Sequence, residues 1–342
     1  MLTAMLRVSY QELFDALLRV LLKLEFEAGP ARLCARLFAD TSRDGVYSHG
    51  LNRFPRFVAM IRNGSIAIHA KPQLLVASGP LERWDGKIGP GNLNAYHSME
   101  RAIALAREHG MGCVALANTN HWMRGGSYGW QAADAGVIGI CWTNTLPNLP
   151  PWGASDPRVG NNPLVIAVPR ADGHVVLDMA MSQFSYGTLE SYRMRGELLP
   201  MDGGFDSEGR LTRVPGDIEA SNRPLPIGFW KGSGLALMLD LLAAILSGGN
   251  ATHQIAIDPE RENGLSQVFI AFDVSSLNAS SLSPGTSAAR IADQIIEYFQ
   301  LPPNSAGERV RHPGHRVLAT RRDNLANGIP VEPSIWEQLD SL

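Results

Sequence analysis

Between residues 44 and 53 the chain reads Asp44-Gly45-Val46-Tyr47-Ser48-His49-Gly50-Leu51-Asn52-Arg53. A histidine, two hydroxyls and an arginine fall within seven residues, beside two glycines. An imidazole has an unperturbed pKa of roughly 6.5 and so gives or takes a proton near neutral pH. A guanidinium is a planar fork of donors that matches a carboxylate. Together they suit acid/base chemistry on a small anionic substrate. His49 is the candidate acid/base. Ser48 could orient its imidazole, touch the substrate, or bond local backbone as a turn hydroxyl. Arg53 is the candidate carboxylate anchor, with Arg56 as its competitor. On these residues alone a loop histidine beside surface arginines fits equally well. Further along, Asn118-Thr119-Asn120-His121-Trp122-Met123-Arg124-Gly125-Gly126 is a polar, glycine-containing loop after an apolar run, a common place for site residues.

The elements that must position these groups can be read from periodicity. Ser9-Tyr10-Gln11-Glu12 is a capping-box pattern. Leu13, Phe14, Leu17, Leu18, Leu21 and Leu22 follow at helical spacing, and Gly29-Pro30 is expected to end that helix. Leu33, Cys34, Leu37 and Phe38 predict a second helix that runs into the His49 loop. Phe54, Phe57, Val58 and Ile61 predict a third, interrupted early by Pro55. Residues 1–73 therefore read as a helical unit that presents His49 at a helix end. Residues 74–311 read as a sheet domain. Strands are predicted at 111–117, 137–143, 164–168, 175–179 and 267–274, with helices at 95–109 and 126–135. Residues 232–246 are almost all apolar and predict a buried helix. Residues 200–226, rich in Gly, Asp and Pro, predict a long irregular excursion, a lid or packing arm. Residues 312–342 return to a helical pattern and could pack back on the N-terminal helices. Such alternation would first suggest a parallel sheet. No G-x-G-x-x-G follows any predicted strand, so the usual dinucleotide fingerprint is missing.

Composition narrows the class. The chain has 342 residues, 45% hydrophobic and 18% charged, as in ordinary globular proteins. A net charge of −3 without a basic, aromatic-interleaved run argues against a nucleic-acid binder. Cys34, Cys113 and Cys141 are far apart and form no C-x-x-C pair, which fits a reducing compartment and argues against a disulfide framework. Cys113 and Cys141 sit in apolar runs and read as core. The N-terminus lacks the clean apolar run of a signal peptide. The most apolar stretch, 234–246, holds Asp240 and is too short to span a bilayer. A cytoplasmic protein without membrane contact is expected. The other histidines show no ligand spacing with cysteine or carboxylate, and there is no H-E-x-x-H, so no metal is expected.

The segments SRDGVYSHGLNRFPRF, NHWMRGGSYGWQAA, PPWGA, NNPL, LDMAMSQFSYG and FWKGSGLALMLDLL occur in that order. They resemble the type-2 malate/L-lactate dehydrogenase family of non-Rossmann NAD(P)-dependent oxidoreductases, from about Val8 to the C-terminus. Within it they look closest to the branch that reduces the sugar acid 2,3-diketo-L-gulonate. The resemblance implies an α/β fold like that of L-sulfolactate dehydrogenase, with a mixed, largely antiparallel sheet and a helical domain from both chain ends. It implies hydride transfer between NADH, or NADPH, and a small 2-oxo acid, with His49 as proton donor and His121 lining the substrate site. Many relatives carry His-Phe-Gly where this chain has His121-Trp122-Met123-Arg124, which makes Arg124 an added anion contact to consider. The segment Asp178, Met179, Ala180, Met181, Ser182 matches one that runs along the cofactor. An acidic residue at a strand end can take ribose hydroxyls, although a helix-cap aspartate also fits. Trp230, Lys231 and Gly232 open the apolar helix, where backbone N–H groups and a lysine can meet phosphate. Gly314, His315 and Arg316 match a segment that closes over the cofactor. Many relatives have Pro-Gly-Glu there, so His315 and Arg316 bear on the choice between NADH and NADPH. Homodimers are usual in the family. Sister substrates are pyruvate, oxaloacetate, ureidoglycolate, sulfolactate and cyclic imino acids. Two readings outside the family are a nucleotide-free lyase or isomerase with His49 as base, and a non-catalytic ligand-binding protein.

Overall fold

The capping box at Ser9 forms as read. The Ser9 hydroxyl accepts from the Glu12 N–H at 3.1 Å, and the Glu12 carboxylate accepts from the Ser9 N–H at 2.7 Å. It starts α1 (Tyr10–Lys23), which buries Leu13, Leu17 and Leu21. The computed structural model describes residues 6–275, 288–301 and 310–342. Gly29-Pro30 does not end α1. Helix α1 stops at Lys23, and both residues lie in the first turn of α2 (Ala28–Arg43). Proline is at home there, because the first N–H groups of a helix have no intrahelical partner. For the same reason Pro55 does not interrupt α3 (Phe54–Arg62) but opens it. Phe38 of α2 packs edge-on against Phe54 of α3, with ring centroids 5.1 Å apart, inside one apolar core. The chain's far end closes this core. Strand β1 (Leu6–Val8) pairs antiparallel with β11 (Ile329–Val331), and Ile329 and Leu339 join the cluster.

A seven-stranded sheet follows, in the order β2–β3–β4–β10–β5–β6–β7. The strands are β2 (Gln73–Ser78), β3 (Leu81–Asp85), β4 (Met111–Asn120), β5 (Ile138–Thr143), β6 (Leu164–Val168), β7 (Val175–Met179) and β10 (Asn263–Phe272). Only β3 and β4 run parallel; every other neighbouring pair is antiparallel. The sheet is therefore mixed and largely antiparallel, and the parallel sheet that alternation alone suggests is not what forms. Both faces of its centre are covered. In β4, Val114 and Leu116 face the core shared with α4 (Gly91–His109) and α5 (Gly126–Asp134). Cys113 and Ala115 face the opposite core with α8 (Trp230–Ser247). Side chains alternate along a strand, so a strand buried on both faces reads as an unbroken apolar run.

Two expectations need correction. Helix α8 forms, but it is not buried. Ala236, Leu239 and Ala243 meet the sheet, while Trp230 and Ile245 are each 67% exposed and Leu237, Met238, Leu241 and Leu242 share the open side. A helix apolar all round carries no pattern that says which side meets the core. Residues 200–226 are not irregular throughout. They hold the hairpin β8 (Gly204–Phe205) and β9 (Leu211–Thr212), then α7 (Pro215–Ser221). The Asp206 carboxylate accepts the Glu208 and Arg210 N–H groups and folds the turn between the two strands. Ile218 of α7 then packs on Leu189 of α6 (Tyr186–Met194) and on Leu199. Two-residue strands are too short to show a period.

Candidate active site

Helix α2 ends at Asp44, and Gly45 turns the chain with φ +82°. A single 3₁₀ turn, Tyr47–His49, follows. Gly50 lies against α2 so closely that a Cβ there would sit 2.2 Å from the Ser42 hydroxyl oxygen, the same oxygen that accepts the Leu51 N–H. Ser48 Oγ lies 3.0 Å from His49 Nδ1. A second 3₁₀ turn, Leu51–Arg53, leads into α3 and places Arg53 where its charge acts on both His49 and His121. His121, just past β4, stacks on His49 with ring centroids 5.8 Å apart and planes 23° from parallel. The Met123 N–H donates to His121 Nδ1 at 3.0 Å. That bond requires an unprotonated Nδ1, so neutral His121 carries its proton on Nε2 and presents a donor.

The electrostatics follow from this packing. His49, His121 and Arg53 keep part of their surface open to water, yet protein surrounds them densely, as on a cleft floor. Burial, with Arg53 and then Arg124, holds the His49 pKa down at about 4. His121 is pushed well below the ordinary value by burial, Arg53, His49 and Arg56. Both imidazoles are therefore neutral near pH 7. Arg53 faces Glu262 at 3.9 Å, beyond hydrogen-bond length, and Glu262 is only 4% exposed with its pKa raised by burial. Arg56 lies 3.3 Å from Glu260, and its Nε and Nη2 make no hydrogen bond among the described residues. Two neutral imidazoles beside a loosely held guanidinium make a site that favours an anion. Glu260 and Glu262 have no local signature in the sequence; the 3₁₀ turn Pro259–Arg261 just before β10 brings them, about two hundred residues along the chain, to Arg53 and Arg56.

The other candidate residues fall around β7. Asp178, exposed near its end, accepts the Gly126 N–H at 2.8 Å. Burial raises the Asp178 carboxyl pKa despite nearby Arg124. That differs from its surface exposure in the same sense as at His49: water reaches it, but protein surrounds it. Met179 and Ala180 continue outward, each half-buried. Met181 is fully buried, with its N–H on Asn161 O and its carbonyl accepting from Ile227. The Ser182 hydroxyl is buried and has no partner among the described residues. A bridge between Ser182 and Pro226 brings the start of α8 beside this segment, with Trp230 and Lys231 exposed. Gly232 packs so tightly that a Cβ would lie 2.2 Å from Ile227 O. Gly314 (φ +89°) sits against His174 and Val176 of the β7 edge, with His315 and Arg316 exposed next to it. A Cβ at Gly187, in α6, would lie 3.0 Å from Ser48, so the chain leaving β7 reaches the His49 turn. An acid at a strand end, an orphaned buried hydroxyl and an exposed lysine at a helix start fit the ribose and phosphates of a dinucleotide. Arg124 is placed differently from the added anion contact considered above: its guanidinium bonds Asp44 at 2.7 Å. Among the described residues no three His, Cys, Asp or Glu side chains gather as metal ligands. A polar hollow of about 660 Å³ opens behind Arg124 and Asp44, and His49 does not border it.

A family model described as malate/L-lactate dehydrogenase matches residues 8–340. A 2,3-diketo-L-gulonate reductase of Klebsiella pneumoniae is 47% identical over 337 residues, 98% of this chain and 100% of that protein. Malate dehydrogenase from Pyrococcus horikoshii OT3 is similar in structure, with TM-score 0.88 and 29% identity over 98% of this chain and 94% of that one. Sulfolactate dehydrogenase from Methanocaldococcus jannaschii has TM-score 0.88 and 25% identity, covering 98% and 96% of the two chains.

The depressed His49 pKa carries a sign for stability. Unfolded, the imidazole takes a proton near 6.5; folded, only near 4. The unfolded state thus binds more protons across that window, and stability falls as pH drops through it. His49→Asn is expected to lose less melting temperature than the wild type between pH 7 and pH 5. An equal loss in both would show that His49 is not held neutral.

Proposed function

We propose that this chain, which belongs to the malate/L-lactate dehydrogenase family, reduces 2,3-diketo-L-gulonate to 3-dehydro-L-gulonate. It is an oxidoreductase acting on 2-hydroxy or 2-oxo acids with a nicotinamide cofactor. The near-full-length likeness to the Klebsiella reductase supports the sugar acid as substrate. The observation that carries the chemistry is the stacked His49–His121 pair with Arg53 beside it.

In this reading Arg53 takes the substrate carboxylate and His121 donates its Nε2–H to a substrate oxygen. A nicotinamide cofactor, when bound, would supply the hydride that the keto carbon takes up. His49 then gives a proton to the oxygen that becomes the hydroxyl, with Ser48 at Nδ1 orienting the ring. Such general acid catalysis is typically worth about 10²–10⁴-fold. A neutral His49 is a weak general acid, and the substrate changes this. Burial is the largest cause holding His49 down and Arg53 the larger of the two charges that add to it; the substrate carboxylate offsets Arg53 and so shifts the histidine upward, toward the pH at which it carries a proton. Asp178 is the carboxylate we assign to ribose hydroxyls, Ser182 and Lys231 are assigned to phosphate, and residues 314–316 to the cover. Asp178 supports NADH, whereas His315 and Arg316 add positive charge near the cover and make NADPH the alternative.

The open side of α8 supports a homodimer. By length and composition alone that helix could cross a membrane, but Ala236, Leu239 and Ala243 are packed in the sheet core, so its outer side reads as a subunit face. Three buried free thiols support a cytoplasmic setting.

Oxidation of NADH and of NADPH with a keto-acid panel tests the substrate. Turnover with 2,3-diketo-L-gulonate and not with pyruvate, oxaloacetate or an imino acid is expected. His49→Ala should lose at least about 10²-fold in kcat while keeping its affinity for NADH. Turnover of another panel member would move the substrate, and an unchanged rate would remove His49. No NADH binding at all would favour a lyase, an isomerase or a ligand-binding protein. For the dimer, Met238→Glu in the centre of the open side should halve the mass seen by light scattering; an unchanged mass places the interface elsewhere.

A further inference from the structure

Asp44 is the most heavily contacted carboxylate near the site, and its side chain is only 2% exposed. Its Oδ1 accepts from Arg43 Nε at 2.9 Å and Arg321 Nε at 2.7 Å. Its Oδ2 accepts from Arg321 Nη2 and Arg124 Nη1, both at 2.7 Å. Three guanidiniums thus converge on one carboxylate, and they hold its pKa near 2 although burial alone would raise it. These arginines come from separate parts of the fold. Arg124 lies on the loop between His121 and Gly126, and the Gly126 N–H holds Asp178. Arg321 belongs to α10 (His315–Asn327), the helix that Gly314 caps, and lies over the Trp130 ring at 4.7 Å.

Helix α10 also grips the turn that leads to His49. A Cβ on Gly45 would come within 2.7 Å of Thr320 Cγ2. Asn324 Nδ2 donates to Arg43 O at 2.8 Å and lies 3.3 Å from the Tyr47 hydroxyl. From there the His49 N–H bonds Val46 O at 3.1 Å, which closes the turn. One helix therefore has its start in the segment assigned to the cofactor and its side on the acid/base turn.

We propose that Asp44 and Arg321 form a positioning pair through which α10, whose start lies in the segment assigned to the cofactor, fixes the placement of His49, an inference that rests on the reductase reading above. Neither residue touches substrate or cofactor. The pair acts through α10 and the 45–49 turn, so its loss misplaces the proton donor without removing the carboxylate anchor Arg53. A misplacement on the order of 1 Å is enough to cost about 10²-fold in rate.

The test is steady-state kinetics of the full-length wild type, Arg321→Gln, Asp44→Asn and the double variant, with NADH binding followed by fluorescence. Arg321→Gln leaves Arg43 and Arg124 on Asp44 and is the variant that should fold in any case; a cooperative melt checks each protein. The expected result is a kcat lowered at least about 10-fold in Arg321→Gln, with the keto-acid KM within about 2-fold of the wild type and NADH bound more weakly. The double variant should be no slower than the slower single one. A folded Arg321→Gln with wild-type kcat, a loss confined to KM, or single losses that multiply would overturn the coupling while leaving the reductase reading intact. A wild type silent with both NADH and NADPH would overturn that reading and this inference with it.

Discussion

An imidazole densely surrounded by protein, under the charge of two guanidiniums, gives up its proton. That constraint on His49 governs the rest of the site. In the proposed mechanism it makes the free protein a poor acid and leaves Arg53, which meets Glu262 only at 3.9 Å, as the group open to an anion. His121 is fixed in one tautomer by a backbone N–H and adds a donor without adding a charge. The pair is thus asymmetric: the Met123 N–H occupies Nδ1 of His121, whereas Nδ1 of His49 meets the Ser48 hydroxyl, and the proposed mechanism has only His49 change protonation.

The fold supplies this arrangement from pieces distant in sequence. The helical unit offers His49 and Arg53 on consecutive 3₁₀ turns between α2 and α3. The central strand β4 delivers His121 at its end, and β10 beside it delivers Glu262. The chain leaving β7 runs past Asp178 to α6 and touches Ser48. Finally α10 returns from the chain's end to hold Asp44 and Gly45. The apolar core of the helical unit also takes in Leu93 and Met123 from the sheet unit, while polar and charged contacts gather around His49 and Asp44. A low-dielectric, partly wetted cleft is where such contacts shift pKa values most.

Much of this was legible residue by residue. The capping box at Ser9 and the strands β4 and β10 show in the sequence because a cap and a doubly buried strand leave local marks, and β5, β6 and β7 show as short apolar runs. The Gly29-Pro30 pair was ambiguous, since proline marks both the end of one helix and the first turn of the next. The outer side of α8 was invisible because all its sides are apolar. The candidates His49, Ser48 and Arg53 stand in one decapeptide and His121 in its loop, and the fold brings them together. The role of Arg124 could not be read: its partner Asp44 is 80 residues away, and the third member, Arg321, is 277 residues from Asp44. Local chemistry offers Arg124 as an anion contact; tertiary contact puts its Nη1 on Asp44 and leaves its Nε without a partner among the described residues.

The most direct measurement is proton uptake on binding of oxamate, a non-reducible 2-oxo-acid mimic, to the NADH-loaded protein near pH 6. Calorimetry in buffers of different ionisation enthalpy reads it. If the substrate carboxylate is what restores the proton to His49, close to one proton is taken up, and the His49→Ala protein takes up none. Binding of oxamate with no proton uptake in the wild type would contradict the account, because His49 would then remain neutral in the complex that has to protonate the product.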